Sequence, residues 1–129
     1  MKYLAKIIAG DLEGLRMISA CSSGAKVKIS DIKYLASNKV FLLSIQRTKV
    51  ENDNDDKQVN SILRFDFVEK SRSKNVDQSD QEAVLELVGI DYLKNNDVYE
   101  INLIFNNNAH IALTTETIEA RLEDQSEIK

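Results

Sequence analysis

Between Val27 and Leu113 apolar residues recur mainly at every second position, the spacing of strands that bury one face; helical spacing is confined to short stretches near the two ends. Tyr3 to Ile8, with Leu4, Ile7 and Ile8, reads as a short strand that Gly10-Asp11 breaks. Asp11 is placed to cap a helix by accepting an orphan amide hydrogen of its first turn. Leu12, Leu15, Ile18 and Cys21 follow at helical spacing, and Gly24 stands where a left-handed residue ends a helix. Gly14 inside that helix costs about 1 kcal/mol relative to alanine, so tertiary packing must hold it.

From Lys26 the period shortens to two. Val27 and Ile29 fall out of phase with Ile32 and Tyr34 across Ser30-Asp31, which predicts a bulge. After the turn residues Ser37-Asn38, Phe41, Leu43 and Ile45 point one way and Ser44, Gln46 and Thr48 the other. The run from Glu51 to Asp56 is too polar to pack and predicts a mobile loop over 51–58. A strand resumes over Ile62 to Val68, with Leu63, Phe65 and Phe67 on one face, before Lys70-Ser71-Arg72-Ser73-Lys74. Val84 to Tyr92 is strand-like with a bulge at Gly89. Tyr99, Ile101, Leu103 and Phe105 form the inner face of the next strand, and Asn106-Asn107-Asn108 closes a hairpin onto His110 to Leu113. The segment 117–124 admits either a helix or an edge strand. We read it as a helix capped by Thr117, with Ile118 and Leu122 on one face and a polar tail over 125–129.

Strands joined by short connections pair as antiparallel neighbours. The expected architecture is α+β in the order β-α-β-β-β-β-β-β-α: one strongly twisted antiparallel sheet, or a partly closed roll, plugged by a helix. It is PH-like or helix-grip-like by analogy only, and such analogy transmits no function. At 129 residues one domain spanning 1–129 is expected, large enough to bury a core without metal or disulfide. The single cysteine cannot pair within the chain, no apolar run approaches the ~20 residues of a membrane span, and the start at Met1 lacks a signal peptide pattern. These features predict a cytoplasmic protein.

The inventory is poor for catalysis. One histidine, His110, and one cysteine, Cys21, fall on separate expected elements, and a nucleophilic pair needs them within about 3 Å. They cannot supply a zinc site from nitrogen and sulfur, and Asp53-Asn54-Asp55-Asp56 lacks the glycine and glutamate of a calcium loop. No glycine loop of phosphate-binding spacing is present. No cofactor is expected. The charge features are Lys70, Arg72 and Lys74, able to grip an anionic partner, and Arg47, whose place on an apolar face demands a carboxylate or a rim position. Asp66 and Glu119 are the candidate partners of Arg47, and a structural ion pair is the plainer reading.

Several landmarks together resemble a small bacterial family catalogued only as a domain of unknown function, number 2948 in that series. They are Asp11-Leu12, Ile18-Ser19-Ala20, Val27-Lys28, Arg47, Arg64-Phe65-Asp66, Ser71-Arg72, the stretch from Ala83 to Ile90, and Ile118-Glu119-Ala120-Arg121-Leu122, spread from Tyr3 to Asp124. The resemblance implies a complete small protein and carries no activity or site residue. The leading expectation is a non-enzymatic interaction module that holds a protein or small anionic partner at a sheet edge or near Arg72. The alternative is a curved-sheet domain binding a small apolar or anionic ligand, with weak enzymatic activity. RNA binding is a third reading. A net charge of −4 and a supply of four tyrosines and four phenylalanines, mostly claimed by the core, argue against it. An unpaired edge strand would also leave room for a homodimer.

Overall fold

A computed structural model of the chain describes residues 5–52 and 55–128. It is α+β: the described residues form an antiparallel sheet of ten strands with one α-helix. Strand β1 is Lys6–Ala9 and helix α1 is Leu12–Ser22. Then come β2 (Ala25–Lys28), β3 (Ile32–Leu35), β4 (Val40–Asn52), β5 (Asp55–Phe65), β6 (Val68–Lys74), β7 (Val84–Asn95), β8 (Val98–Phe105), β9 (His110–Thr115) and β10 (Ala120–Ile128). Their order is β1-β10-β5-β4-β2-β7-β8-β9-β6, with β3 also on β4. The short links from β5 to β6 and from β9 to β10 join strands far apart in that order, so the sheet folds over a shared interior.

Alternation builds that interior. Phe41, Leu43 and Ile45 of β4, Leu63 and Phe65 of β5, and Ile101, Leu103 and Phe105 of β8 all point inward and are buried. Helix α1 adds Leu15 and Ile18. Asp11 caps it as the sequence requires, its Oδ1 accepting from the Gly14 amide at 2.8 Å, and Gly24 beyond its end has φ +84°. The bulge expected at Gly89 is present between Leu87 and Gly89, and Asn107 and Asn108 turn the β8–β9 hairpin with positive φ. At the Gly89 bulge, Ser19 of the helix accepts the Ile90 amide hydrogen at 2.9 Å.

At Gly14 the tertiary packing that the sequence requires of this helix is direct contact with β1. A Cβ there would lie 2.8 Å from the Cβ of Ala9 and 3.0 Å from its Cα, so the helix approaches β1 more closely than alanine permits. The gain of about 1 kcal/mol in helix propensity is outweighed by overpacking of about 1–3 kcal/mol. Gly14→Ala is therefore expected to lower the urea midpoint, and a raised midpoint would contradict the close approach.

Four expectations change. The bulge at Ser30-Asp31 is a 3-10 turn over Ile29–Asp31 that splits one strand into β2 and β3. The strand over Ile62 to Val68 ends at Phe65: Phe67 adopts φ +59° and is 49% exposed rather than sharing the inner face of Leu63 and Phe65, and Val68 opens β6 elsewhere in the sheet. The loop placed over 51–58 is largely strand. β4 and β5 pair from Phe41↔Phe65 out to Asn52↔Asp55, while Asp53 and Asn54, like Tyr3 and Leu4 of the first expected strand, lie outside the described residues. The closing helix is strand β10, paired with β5 through Ile128↔Gln58. Thr117 therefore caps nothing, and the expected order loses its final helix. Ile118, Ala120, Leu122 and Asp124 alternate inward at a spacing of two, which satisfies burial as well as the i, i+4 pair did.

Candidate functional site

Arg47 follows Phe41, Leu43 and Ile45 onto the inner face and is 5% exposed. Its partner is neither Asp66 nor Glu119. Asp66 pairs with Arg64 at 2.9 Å, and Glu119 is exposed. Because β10 is a strand, Asp124 lies opposite Ser61 of β5, one strand from Arg47. The guanidinium meets both carboxylate oxygens, with Nη2 at 2.9 and 3.0 Å and Nε at 3.0 Å from Oδ1. Ser61 donates to Oδ1 at 2.7 Å and the Ala5 amide donates to Oδ2 at 3.0 Å. Burial alone would push the Asp124 carboxyl up; the Ser61 hydroxyl, the Ala5 amide and the Arg47 guanidinium outweigh it and hold the group below its ordinary value of 3.8. This arrangement clamps β4, β5 and β10 together. Its donors and acceptors point at one another, which makes it a structural element.

Lys70, Arg72 and Lys74 stand differently. They alternate on β6, the last strand in the sheet order, which forms a ladder with β9 alone; its first residue, Val68, also donates its amide hydrogen to the Lys39 carbonyl and accepts from the Tyr34 hydroxyl, each at 2.8 Å, so the edge is open from Lys70 onward. The register sets Lys70 against Thr114 and Glu100, Arg72 against Ala112 and Asn102, and Lys74 against His110 and Ile104 across β9 and β8. All three cations are exposed on the outer face. Arg72 holds Glu100 at 2.6 Å, whereas Lys70 and Lys74 form no ion pair among the described residues. Because Ala112 is small, a shallow cleft of about 220 Å³ opens between Arg72, Lys74, Glu100 and His110. The structure thus brings together three of the four residues singled out from sequence and places Arg47 apart from them, in the interior.

No reactive pair is assembled. Cys21 lines a cleft with Ile7, Thr48 and the edge of Arg47, while His110 borders clefts on the outer face with Asp91 and Asn102 on one side and Arg72 on the other. None of these clefts holds both residues. Among the described residues no three of His, Cys, Asp and Glu gather as a metal would require. Leu43, Leu63, Phe65, Leu87, Leu103 and Leu113 are wholly buried in the interior. Among the described residues no helix is long and apolar enough to cross a membrane.

Sequence reasoning missed Asp124 because it lay in a segment read as helix. Its signal was the inward phase of Ile118, Ala120 and Leu122 continued to 124. It also missed the notch between β2 and β4, where Lys26, Ser44, Gln46 and Asn60 converge. No curated protein and no solved structure matches this chain. A family model does match, over residues 5–129, and the chain belongs to that family, described as a protein of unknown function (DUF2948).

Proposed function

We propose that this protein is a single-domain, non-enzymatic interaction module that receives an extended acidic segment of another protein along the free edge of β6. One observation carries the reading: β6 ends the sheet with three exposed cations at alternate positions, two of them without an anionic partner. An edge strand offers unpaired backbone donors and acceptors as a template for an added strand. Charges at every second residue select what can pair there, because an added strand faces Lys70, Arg72 and Lys74 with its own alternate side chains. A second copy of β6 laid antiparallel with Arg72 against Arg72 would set Lys70 against Lys74. Self-pairing at this edge is thereby disfavoured, and an acidic partner is favoured. The PH-like or helix-grip-like analogy contributes nothing to this reading.

The test uses a labelled peptide of alternating glutamate and valine, titrated by fluorescence anisotropy at low salt. Saturable binding is expected, weakening as salt rises. The double variant Lys70→Glu/Lys74→Glu should lose about tenfold or more, since two rim pairs contribute up to about 1 kcal/mol each. Hydrogen exchange should slow at β6 amides in the complex. Equal binding by the double variant, or protection confined to another strand, would remove the proposal.

A further inference from the structure

The sheet is nearly interrupted at one place. Strand β2 pairs with β7 through four residues, Ala25 to Lys28, but with β4 through the single pair Lys26↔Gln46. The 3-10 turn then interrupts the ladder, and pairing with β4 resumes only at Ile32↔Leu43. Ser44 and Ile45 of β4 therefore have no ladder partner on this side among the described residues.

The gap is an open notch of about 340 Å³, at the lower end of the ~300–1,000 Å³ range of ligand clefts. The buried Val27 and Ile45 are apolar members of its lining, and apart from Val84 the rest of the lining is polar. The Lys26 ammonium stands in one transverse row with the Gln46 and Asn60 amides, set by Lys26↔Gln46 and Gln46↔Asn60. Ser44 adds a hydroxyl, and Asp31 a carboxylate at the turn. Of the two lysines in the lining, Lys28 is engaged by Glu82 at 3.4 Å, and Lys26 forms no ion pair among the described residues. The turn is held in place, with the Ile29 and Ser30 amides donating to the Ala83 and Gln81 carbonyls at 3.0 Å each. The notch is thus preformed, which lowers the ordering cost of binding.

We propose that this notch is a second binding site, distinct from the β6 edge, for a small anionic polyol of the sugar phosphate class. The phosphate meets Lys26. The hydroxyls meet groups that both donate and accept: the Gln46 amide, the Asn60 amide, whose Nδ2 also donates to the Ser126 hydroxyl at 3.3 Å, and the Ser44 hydroxyl, with Asp31 as an additional acceptor. A purely cationic site would read charge alone; the amide row and the carboxylate add recognition of the hydroxyl-bearing body.

Amide NMR of the full chain, titrated with ribose 5-phosphate, tests the assignment, with ribose and inorganic phosphate as comparators. Saturable shifts are expected at Lys26, at Ser44 to Gln46 and at Asn60. Half-saturation should fall near or below about 1 mM, and each comparator should bind at least several-fold more weakly. Lys26→Ala and Asn60→Ala replace exposed side chains and should keep the spectrum of the folded protein while losing the shifts, whereas Lys70→Ala should retain them. Absence of saturable shifts, equal response to inorganic phosphate, or shifts confined to β6 would overturn the site. Each of those results leaves the acidic-peptide experiment to stand or fall on its own.

Discussion

Replacing Asp124 by asparagine is expected to lower the unfolding free energy by about 3–5 kcal/mol, read as a large fall in the urea midpoint with an unchanged slope. The cause is the charge left behind. Removing the carboxylate strands the Arg47 guanidinium, which is 5% exposed. Ser61 and the Ala5 amide lose their charged acceptor in the same step. The pair itself is worth far less than its rupture, because burying both ions cost much of what their attraction returns. Arg47→Met/Asp124→Leu should therefore recover most of the loss. A double variant as unstable as Asp124→Asn would show that packing at these positions, and not the unpaired charge, governs the site.

The same carboxylate sets a pH dependence whose sign follows from linkage. Its pKa in the folded protein lies below the ordinary 3.8, so the contribution is fully present above that value and is lost as pH falls through the lower, folded value. The stability difference between the natural protein and Asp124→Asn should thus shrink on acidification below about pH 4. Parallel stability curves down to pH 2 would exclude Asp124 as the titrating group. Asp77, also held below 3.8 by the Ser79 hydroxyl and amide, is exposed and present in both proteins, so its contribution cancels in the difference.

The need for this clamp was legible in the sequence, but its partner was not. Alternation placed Arg47 on the apolar face of β4 and left two outcomes, a carboxylate partner or a rim position. Choosing the carboxylate required the conformation of 117–124, where Ile118 and Leu122 satisfy helical and extended spacing alike. Tertiary context decided it: β5 had a free side beside β4, and β10 fills it from Ala120↔Phe65 to Ile128↔Gln58. The cationic run at 70–74 was legible as residues and not as an edge strand, because the chain order of strands does not give their order in the sheet. The notch at β2 left only a phase slip at Ser30-Asp31. A phase slip fits a bulge within one strand as well as a 3-10 turn between two, and only the second opens a gap.

Two phenylalanines one alternation apart provide the sharpest check on the core. Read by period alone, Phe65 and Phe67 belong to the same inner face. In the structure Phe65 is wholly buried on β5, between Phe41 and Ala120 on the flanking strands, whereas Phe67 sits in a left-handed turn and is 49% exposed. Phe65→Ala is expected to cost about 3–5 kcal/mol, from lost transfer free energy and the cavity left among side chains that relax only in part. That is a large share of the ~5–15 kcal/mol stability of an ordinary domain. Phe67→Ala should stay within about 1 kcal/mol, since half of its ring already faces water and no cavity forms. Urea unfolding of the two variants side by side checks the assignment. Equal losses would mean that the strand continues through Phe67 and that β6 is misplaced, and a near-neutral Phe65→Ala would mean that the interior lies elsewhere.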